Sequence, residues 1–188
     1  MAEDTDLRIQ KTRRAIQEAF FEEIAEKPFA ALCVARLAQR AEIGKATFYN
    51  HYTDKYDLAR KMIEANLLPL DQLLMQRAQG GHLAHLAEPF PPEYQPIIQH
   101  LRLLTKIHTP EVDFEQLAKQ QFARSFKRQL DQRSVMLSHA DDVSAHLASL
   151  AYSFLMGTIN NDLDPRVTYQ QLNEFFLALR ALQTVPVQ

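Results

Sequence analysis

Apolar residues recur every three or four positions along most of the chain, which is the spacing of amphipathic α-helices. The pattern predicts a first helix over residues 6–26, two short helices within residues 33–55 and a fourth helix from Asp54. Further helices are predicted over residues 93–108 and 113–138, from residue 141 to between 157 and 161, and from Thr168 onward. No alternating strand pattern competes with them, so the sequence predicts an all-α fold.

Three breaks interrupt this helical pattern. Pro28 ends the first helix, because its ring and its missing N–H cannot continue the run. Pro69 lies inside an apolar run over residues 67–75, and we expect it to kink or stop the fourth helix. Residues 79–92 hold two glycines and three prolines and are the clearest predicted loop.

The two short helices of residues 33–55 form a predicted helix-turn-helix. The first carries one apolar stripe, made by Val34, Leu37, Ala38 and Ala41. Residues 41–44 are a short connection, in which Gly44 can cap the next helix. The second helix begins at Lys45 and has an apolar side formed by Phe48 and Tyr52.

The rest of the second short helix is polar and suits a DNA groove. Lys45 can neutralise a phosphate or donate to guanine, the hydroxyls of Thr47 and Tyr49 can reach phosphate oxygens, and Asn50 can pair with a base edge. The predicted DNA contacts are Arg36, Lys45, Ala46, Thr47, Tyr49, Asn50, His51 and Lys55. An ordinary two-helix corner with a solvated polar face would show the same amphipathic pattern, so this alternative stays open on the pattern alone.

The stretch resembles the N-terminal signature of the TetR/AcrR family of transcriptional regulators. The resemblance is carried by LAxxA at residues 37–41 and by IGKATFYNHYxxKxxL at residues 43–58. It implies that Thr47, Tyr49, His51 and Lys55 contact the DNA backbone, and that Lys45, Ala46 and Tyr49 face bases. The signature covers roughly the first third of the chain.

The chain departs from the family pattern at four positions in or beside this motif. Cys33 stands where a threonine usually caps the first short helix, Glu42 where a turn glycine is frequent, and Gly44 where a serine or threonine is frequent. Ala35 occupies the position at which some members carry a base-reading arginine. We therefore expect that base contact to be absent and the local stability of the motif to be altered.

Net charge adds little to this picture, because the 188 residues sum to −2. Residues 33–55 hold four basic and two acidic side chains, so any attraction to DNA comes from a modest local patch. The chain has one cysteine, and its N-terminus is acidic and polar where a signal peptide would need basic and then apolar residues. No stretch approaches the ~20 apolar residues of a membrane span, so we expect a cytoplasmic protein. The seven histidines lack metal-ligand spacing, and even His82 and His85 stand in the predicted loop, so we expect no metal and no cofactor.

The family resemblance extends to the C-terminal part only through its helices and its length. It implies a helix-turn-helix domain of three helices over residues 1–53, and a helical bundle for effector binding and dimerisation over residues 54–188. Residues that could line an effector pocket, or equally pack an ordinary core, are Tyr94, Ile98, His100, Leu101, His108, Gln121, Phe122, Phe126 and Phe154. Predicted interface residues on the last two helices are Leu147, Ala148, Leu150, Ala151, Phe154, Phe175, Phe176 and Leu179.

The sequence thus predicts a homodimeric transcriptional regulator on a palindromic double-stranded DNA operator, most simply a repressor released or modulated by a small-molecule effector. The alternative is a helical protein-interaction module, such as an adaptor without strong DNA binding. An enzyme is disfavoured, since no phosphate loop, nucleophile elbow or HExxH motif is present.

Overall fold

The computed structural model describes residues 2–79, 90–132, 139–160 and 174. Its helices are α1 (Ala2–Glu26), α2 (Val34–Arg40), α3 (Lys45–Tyr49), α4 (Lys55–Gln79), α5 (Gln95–Leu104), α6 (Phe114–Gln132) and α7 (Ala140–Asn160). Short 3-10 turns occupy Phe29–Ala31 and Pro92–Tyr94. Within those ranges the only strand-like pairing is an isolated bridge between His108 and Asp113. The predicted all-α fold is confirmed.

Two predicted element boundaries are wrong. α4 continues through Pro69 to Gln79, so the helix does not stop at this proline, and a kink there stays a prediction. The missing proline N–H costs one helical hydrogen bond, and burial of Leu67, Leu70 and Leu74 on the same helix offsets that loss. α5 ends at Leu104, so His108 does not extend the helix of His100 as predicted.

Contacts divide the chain into two compact units. The N-terminal unit comprises Met1–Asn66 and His100–Leu117, and the C-terminal unit comprises Leu67–Gln99 and Ala118–Gln188. These units group residues by contact and not by function, so the predicted functional boundary between residues 53 and 54 stays a prediction. α4, α5 and α6 each have residues in both units.

The core of the N-terminal unit is built on the apolar face of α1. Ile16 and Phe20 of α1 are fully buried together with Leu37 of α2, Phe48 of α3 and Leu58 of α4. Full burial of side chains of this size contributes about 1.5–3 kcal/mol each, so α2 and α3 are held mainly by Leu37 and Phe48. Neither short helix is long enough to be stable alone.

The C-terminal unit packs α6 against both α4 and α7. Gln129 of α6 donates from Nε2 to the carbonyl oxygen of Met75 on α4 at 3.0 Å. On another side of α6, the ammonium of Lys119 lies 5.2 Å from the ring centroid of Tyr152 on α7. Buried apolar side chains fill this unit, among them Leu67, Leu70, Leu74, Phe122, Phe126, Ala148, Ala151 and Leu155.

The turn between α2 and α3 is a Schellman motif closed on a glutamate. The N–H of Ile43 donates to the carbonyl of Ala38 at 2.9 Å, and the N–H of Glu42 donates to the carbonyl of Gln39 at 3.1 Å. Glu42 has a φ of 55°, in the left-handed region that favours glycine. This is the position at which the family resemblance made glycine the expected residue.

Replacing Glu42 with glycine should therefore stabilise the protein. We expect Glu42→Gly to raise the free energy of unfolding by about 1 kcal/mol, because glycine adopts this backbone conformation without steric cost. Urea denaturation measures the change. Glu42→Ala is the control, since it removes the same charge but retains a Cβ, and an equal gain in both variants would refute the backbone explanation.

Candidate nucleic-acid interface

α3 has one buried side and one exposed side. Phe48 is fully buried, and Tyr52, just beyond the helix, is 3% exposed. Lys45, Ala46, Tyr49 and Asn50 are exposed, and Thr47 and His51 are partly exposed. The structure thus gathers six of the eight predicted DNA contacts on and just after one short helix.

Two aromatic contacts and a backbone cap hold α3 in place. The Phe48 ring lies 5.7 Å from those of both Tyr49 and Tyr52, measured between centroids. Gly44 caps α3 through its carbonyl, which accepts from the N–H of Phe48 at 3.2 Å. No side chain caps this helix, and a Cβ on Gly44 would meet only the hydroxyl of Thr47, at 3.9 Å, so a serine fits here.

The surroundings of His51 favour the neutral form of its imidazole. Burial lowers its pKa, and the nearby positive charge of Arg13 on α1 lowers it further. A neutral ring can still donate one hydrogen bond to a phosphate oxygen. Arg13 of α1 therefore lies close enough to His51 to act on its charge.

Arg36 is tied into a cluster of charges that joins α2 to α1. Glu23 of α1 is buried, and its carboxylate meets Arg36 Nε at 3.1 Å and Arg40 Nε at 2.9 Å. Arg40 also reaches Glu22 at 3.2 Å and forms a two-point contact with Glu26 at 2.9 Å. These contacts make Arg36 an anchor of α2, and its DNA contact stays a prediction.

Lys55 makes contacts that the sequence did not predict. Its Nζ donates to the carbonyl oxygens of Phe29 at 3.3 Å, Ala30 at 3.1 Å and Leu32 at 3.0 Å. It also lies 5.0 Å from the ring centroid of Phe29 and 5.3 Å from that of Tyr56. The ammonium therefore caps the 3-10 turn after α1 and fixes the start of α4 beside it, and its predicted phosphate contact is untested.

We expect Lys55→Met to destabilise the N-terminal unit. The substitution keeps an apolar stem but leaves three carbonyl groups without their charged donor, which should cost about 1.5–3 kcal/mol. Thermal or urea unfolding measures it. Lys61→Met removes an exposed lysine on the same helix and should change stability by less than about 0.5 kcal/mol; equal effects of the two changes would show that the carbonyl contacts contribute little.

The predicted effector-lining residues fall into the two units. In the N-terminal unit His100 stacks on Phe21 with centroids 3.8 Å apart and contacts Asn66 Oδ1 through Nδ1 at 3.2 Å, beside a cleft of about 510 Å³. Leu101 is fully buried, and His108 is exposed and paired with Asp113 at 2.8 Å. The prediction that His100 and His108 share a helix face is wrong, because α5 ends between them.

The other predicted lining residues belong to the C-terminal unit. There Ile98, Phe122 and Phe126 are buried core residues, whereas Tyr94, Gln121 and Phe154 are partly exposed. Gln121 donates from Nε2 to Oδ2 of Asp71 at 3.4 Å. Asp71 is 4% exposed and was missed in the sequence, although an aspartate inside the apolar run of residues 67–75 was a signal for it.

The predicted dimer-interface residues of α7 are divided between core and surface. Ala148 and Ala151 are buried within the single chain, at 1% and 2% exposure, so these two are core residues and not a partner-facing surface. Leu147, Leu150 and Phe154 are partly exposed. Phe175, Phe176 and Leu179 lie outside the described residues.

A family comparison decides what the N-terminal unit is. Residues 16–62 match the model of the bacterial regulatory proteins of the tetR family, and this range contains α2, α3 and the whole charge cluster. The helix-turn-helix region of this chain is therefore similar to that of the tetR family.

A curated relative is similar to part of this chain. The chain is 38% identical over 60 residues to an uncharacterised HTH-type transcriptional regulator, YxbF, of Bacillus subtilis strain 168. The match covers 31% of this chain and only 16% of that relative's length. It therefore supports the helix-turn-helix and leaves the activity of the whole chain to be proposed.

Solved structures share the fold over nearly the full chain. NalD of Pseudomonas aeruginosa, described as the secondary repressor of the MexAB-OprM multidrug efflux pump, superposes with a TM-score of 0.60 at 20% identity, covering 90% of this chain and 96% of NalD. The dihydroxyacetone kinase operon activator DhaS gives a TM-score of 0.56 at 17% identity, covering 89% and 95%. At these identities the likeness shows the fold alone.

Two further observations concern the part of the chain that the structure describes. None of its helices there combines the length and apolar character needed to cross a membrane. Nor do three or more histidine, cysteine or acidic side chains of those residues come together in a way that could hold a metal ion. His82 and His85 lie outside the described residues.

Proposed function

We propose that this chain is a sequence-specific DNA-binding transcriptional regulator of the tetR family that acts in the cytoplasm. The observation that carries the proposal is the two-sided character of α3, which buries Phe48 in the core and leaves Lys45, Ala46, Tyr49 and Asn50 exposed. A short helix fixed in this way can enter the major groove with its first residues toward base edges. The hydroxyl of Thr47 and the imidazole of His51 then reach the flanking phosphates.

We propose that the regulator binds a palindromic operator as a homodimer. Two copies of α3 related by two-fold symmetry read two half-sites whose centres lie about 34–36 Å apart, or a multiple of that distance. α7 is the described helix that suits the contact, because Ala145, Ser149 and Ser153 are small, exposed and four residues apart. Small exposed side chains allow a second helix to approach closely.

A charge on this face of α7 tests the dimer. We expect Ser149→Arg to produce a monomer at micromolar concentration without loss of fold, because it places an unpaired charge in a dry interface. Light scattering after gel filtration measures the mass. Gln120→Arg on the exposed side of α6 is the control and should remain a dimer. A dimeric Ser149→Arg protein would exclude this face of α7 as the interface. Ala148→Arg should instead unfold the chain, since Ala148 is a core residue.

We further propose repression, relieved when a small molecule binds the C-terminal unit. NalD is described as a repressor, and repression requires only that the dimer occupy its operator. A ligand can release the operator only if it binds the DNA-free conformation more tightly.

The spacing of the half-sites tests the proposed function directly. An operator chosen from random DNA should bind tightly, and inserting about five base pairs between its half-sites should abolish tight binding, because half a turn places the second site on the opposite face of the duplex. Fluorescence anisotropy measures both affinities. Equal binding of the two DNAs would exclude a symmetric dimeric reader, and no binding of any selected DNA would favour the adaptor alternative.

A further inference from the structure

Asp71 is a buried carboxylate with one oxygen that the fold does not use. Its Oδ2 accepts hydrogen bonds from Ser125 Oγ at 2.6 Å and from Gln121 Nε2 at 3.4 Å. Its Oδ1 is closed to solvent and has no hydrogen-bond partner among the described residues. The residue is 4% exposed.

Such a carboxylate is costly for the fold. Burial raises the pKa of Asp71, and the hydrogen bonds from Ser125 and Gln121 offset only part of that rise. Arg124 and Arg128 lower the pKa further from a distance. A buried charge with unsatisfied hydrogen-bonding capacity is generally less stable than an apolar side chain of similar size. The stability of the C-terminal unit therefore does not explain an aspartate at this position.

The surroundings of Asp71 hold the carboxylate in one orientation. Gln121, Ser125 and Gln129 recur every four residues on α6, and all three make hydrogen bonds to the segment of α4 that contains Asp71 and Met75. Both donors to the carboxylate act on Oδ2, so Oδ1 is left as a fixed acceptor. A rigid, desolvated acceptor of this kind strengthens a hydrogen bond from a charged donor.

Buried apolar side chains occupy positions close to these residues along both helices. Leu70 and Leu74 flank Asp71 on α4, and Phe122 and Phe126 flank Gln121 and Ser125 on α6; all four are buried. A ligand with one hydrogen-bond donor on a largely apolar body suits a buried acceptor on helices with such a core. A protonated amine on an aromatic or aliphatic frame has this composition.

We propose that Asp71 anchors the effector of this regulator and that the effector is a cationic amphiphile, whose ammonium group donates to Oδ1 while its apolar part lies among the leucine and phenylalanine side chains. The identification of this ligand as an effector rests on the proposed function. The binding site itself does not depend on that proposed function. Because Oδ1 is closed to solvent, a ligand must displace neighbouring side chains to reach it. The ligand therefore binds the conformation with displaced side chains more tightly than the closed one, and release of an operator requires such a difference in affinity.

Binding of matched probes tests the site without DNA. The probes are phenylalkylamines with two to six methylene groups and the phenylalkanols of the same lengths, titrated into the full-length protein by calorimetry. We expect at least one amine to bind roughly tenfold or more tightly than its alcohol, and Asp71→Asn to abolish that preference, because a neutral amide cannot pair with the ammonium. Glu64→Gln, which neutralises an exposed carboxylate on the same helix, should leave the preference intact.

Thermal unfolding separates a failed site from a failed fold. Asp71→Asn should melt at or above the wild-type temperature without ligand, because it removes a buried charge, and amine should raise the melting temperature of the wild type alone. If no amine is preferred over its alcohol, or if the preference survives in Asp71→Asn, the site is overturned. If Asp71→Asn melts well below the wild type, the aspartate is structural, and the proposal is overturned in that case too.

The operator gives an independent readout. Asp71→Asn should bind a selected operator as tightly as the wild type, and the preferred amine should weaken operator binding of the wild type at least about tenfold, with no effect on the variant. An amine that binds through Asp71 but leaves operator affinity unchanged would refute its role as effector and leave the cation site standing. Loss of operator binding by the wild type itself would refute the proposed function and not the site.

Discussion

Glu23→Ala should lower the free energy of unfolding by about 2–3 kcal/mol, among the largest effects of any single substitution in the N-terminal unit. Glu23 is the buried carboxylate that receives both Arg36 and Arg40, so its removal detaches α2 from α1. The cost is below that of a fully buried pair, since both arginines keep part of their surface in water and can turn outward. Urea denaturation at neutral pH measures the change.

The neighbouring glutamate supplies the control. Glu22→Ala removes an exposed partner of Arg40 and should change stability by less than about 0.5 kcal/mol. Glu23→Ala should also weaken operator binding, because α2 supports α3 through the Glu42 turn. A Glu23→Ala protein as stable as Glu22→Ala would mean that the ion pairs with the two arginines do not hold α2.

Lys45→Ala should cost about 1–3 kcal/mol of binding to a selected operator, which is roughly a ten- to hundredfold loss. Lys45 is exposed at the first position of α3, from which its ammonium can reach guanine in the major groove. The loss should be accompanied by relaxed preference at one base pair in each half-site. Anisotropy titrations with operators substituted at single positions measure both effects.

Loss of one positive charge alone would produce a different result. Lys106→Ala removes an exposed lysine of the N-terminal unit outside the helix-turn-helix and should leave operator affinity within about twofold of the wild type. A general electrostatic effect would weaken all DNA sequences alike and alter the dependence on salt. If Lys45→Ala weakens specific and random DNA equally, Lys45 is a phosphate contact and not a base contact.

Local patterns in the sequence were enough to predict the helix-turn-helix. Phe48 and Tyr52 lie four residues apart in the predicted second short helix, and this spacing determined which side of α3 is buried. The exposed residues Lys45, Tyr49 and Asn50 followed from the same pattern. The short range of these interactions is the reason that the prediction succeeded.

Interactions between distant residues could not be predicted in the same way. Lys55 caps carbonyl groups more than twenty residues earlier, and no local pattern indicates which donor meets them. Glu23 lies among other glutamates near the end of α1, and only the packing of α2 buries it. Pro69 continues the helix because the burial of its neighbours outweighs a lost hydrogen bond, and this balance depends on the folded core.

Asp71 shows the same limit within the candidate effector site. The sequence indicated an aspartate in an apolar run, but its partners Gln121 and Ser125 lie some fifty residues away. The orientation of its carboxylate, and hence the unused oxygen, becomes visible only once α4 and α6 are packed together.

Selection of bound sequences from a random DNA pool tests the central claim most directly. It should be run in parallel on the wild type and on a variant in which Lys45, Tyr49 and Asn50 are all alanine. The wild type should enrich an inverted repeat with half-site centres about 34–36 Å apart or a multiple of that. The triple variant, shown by circular dichroism to remain folded, should enrich none. Two results would contradict the assignment of α3 as the DNA-reading helix. The wild type could enrich no sequence, or the triple variant could enrich the same repeat as the wild type.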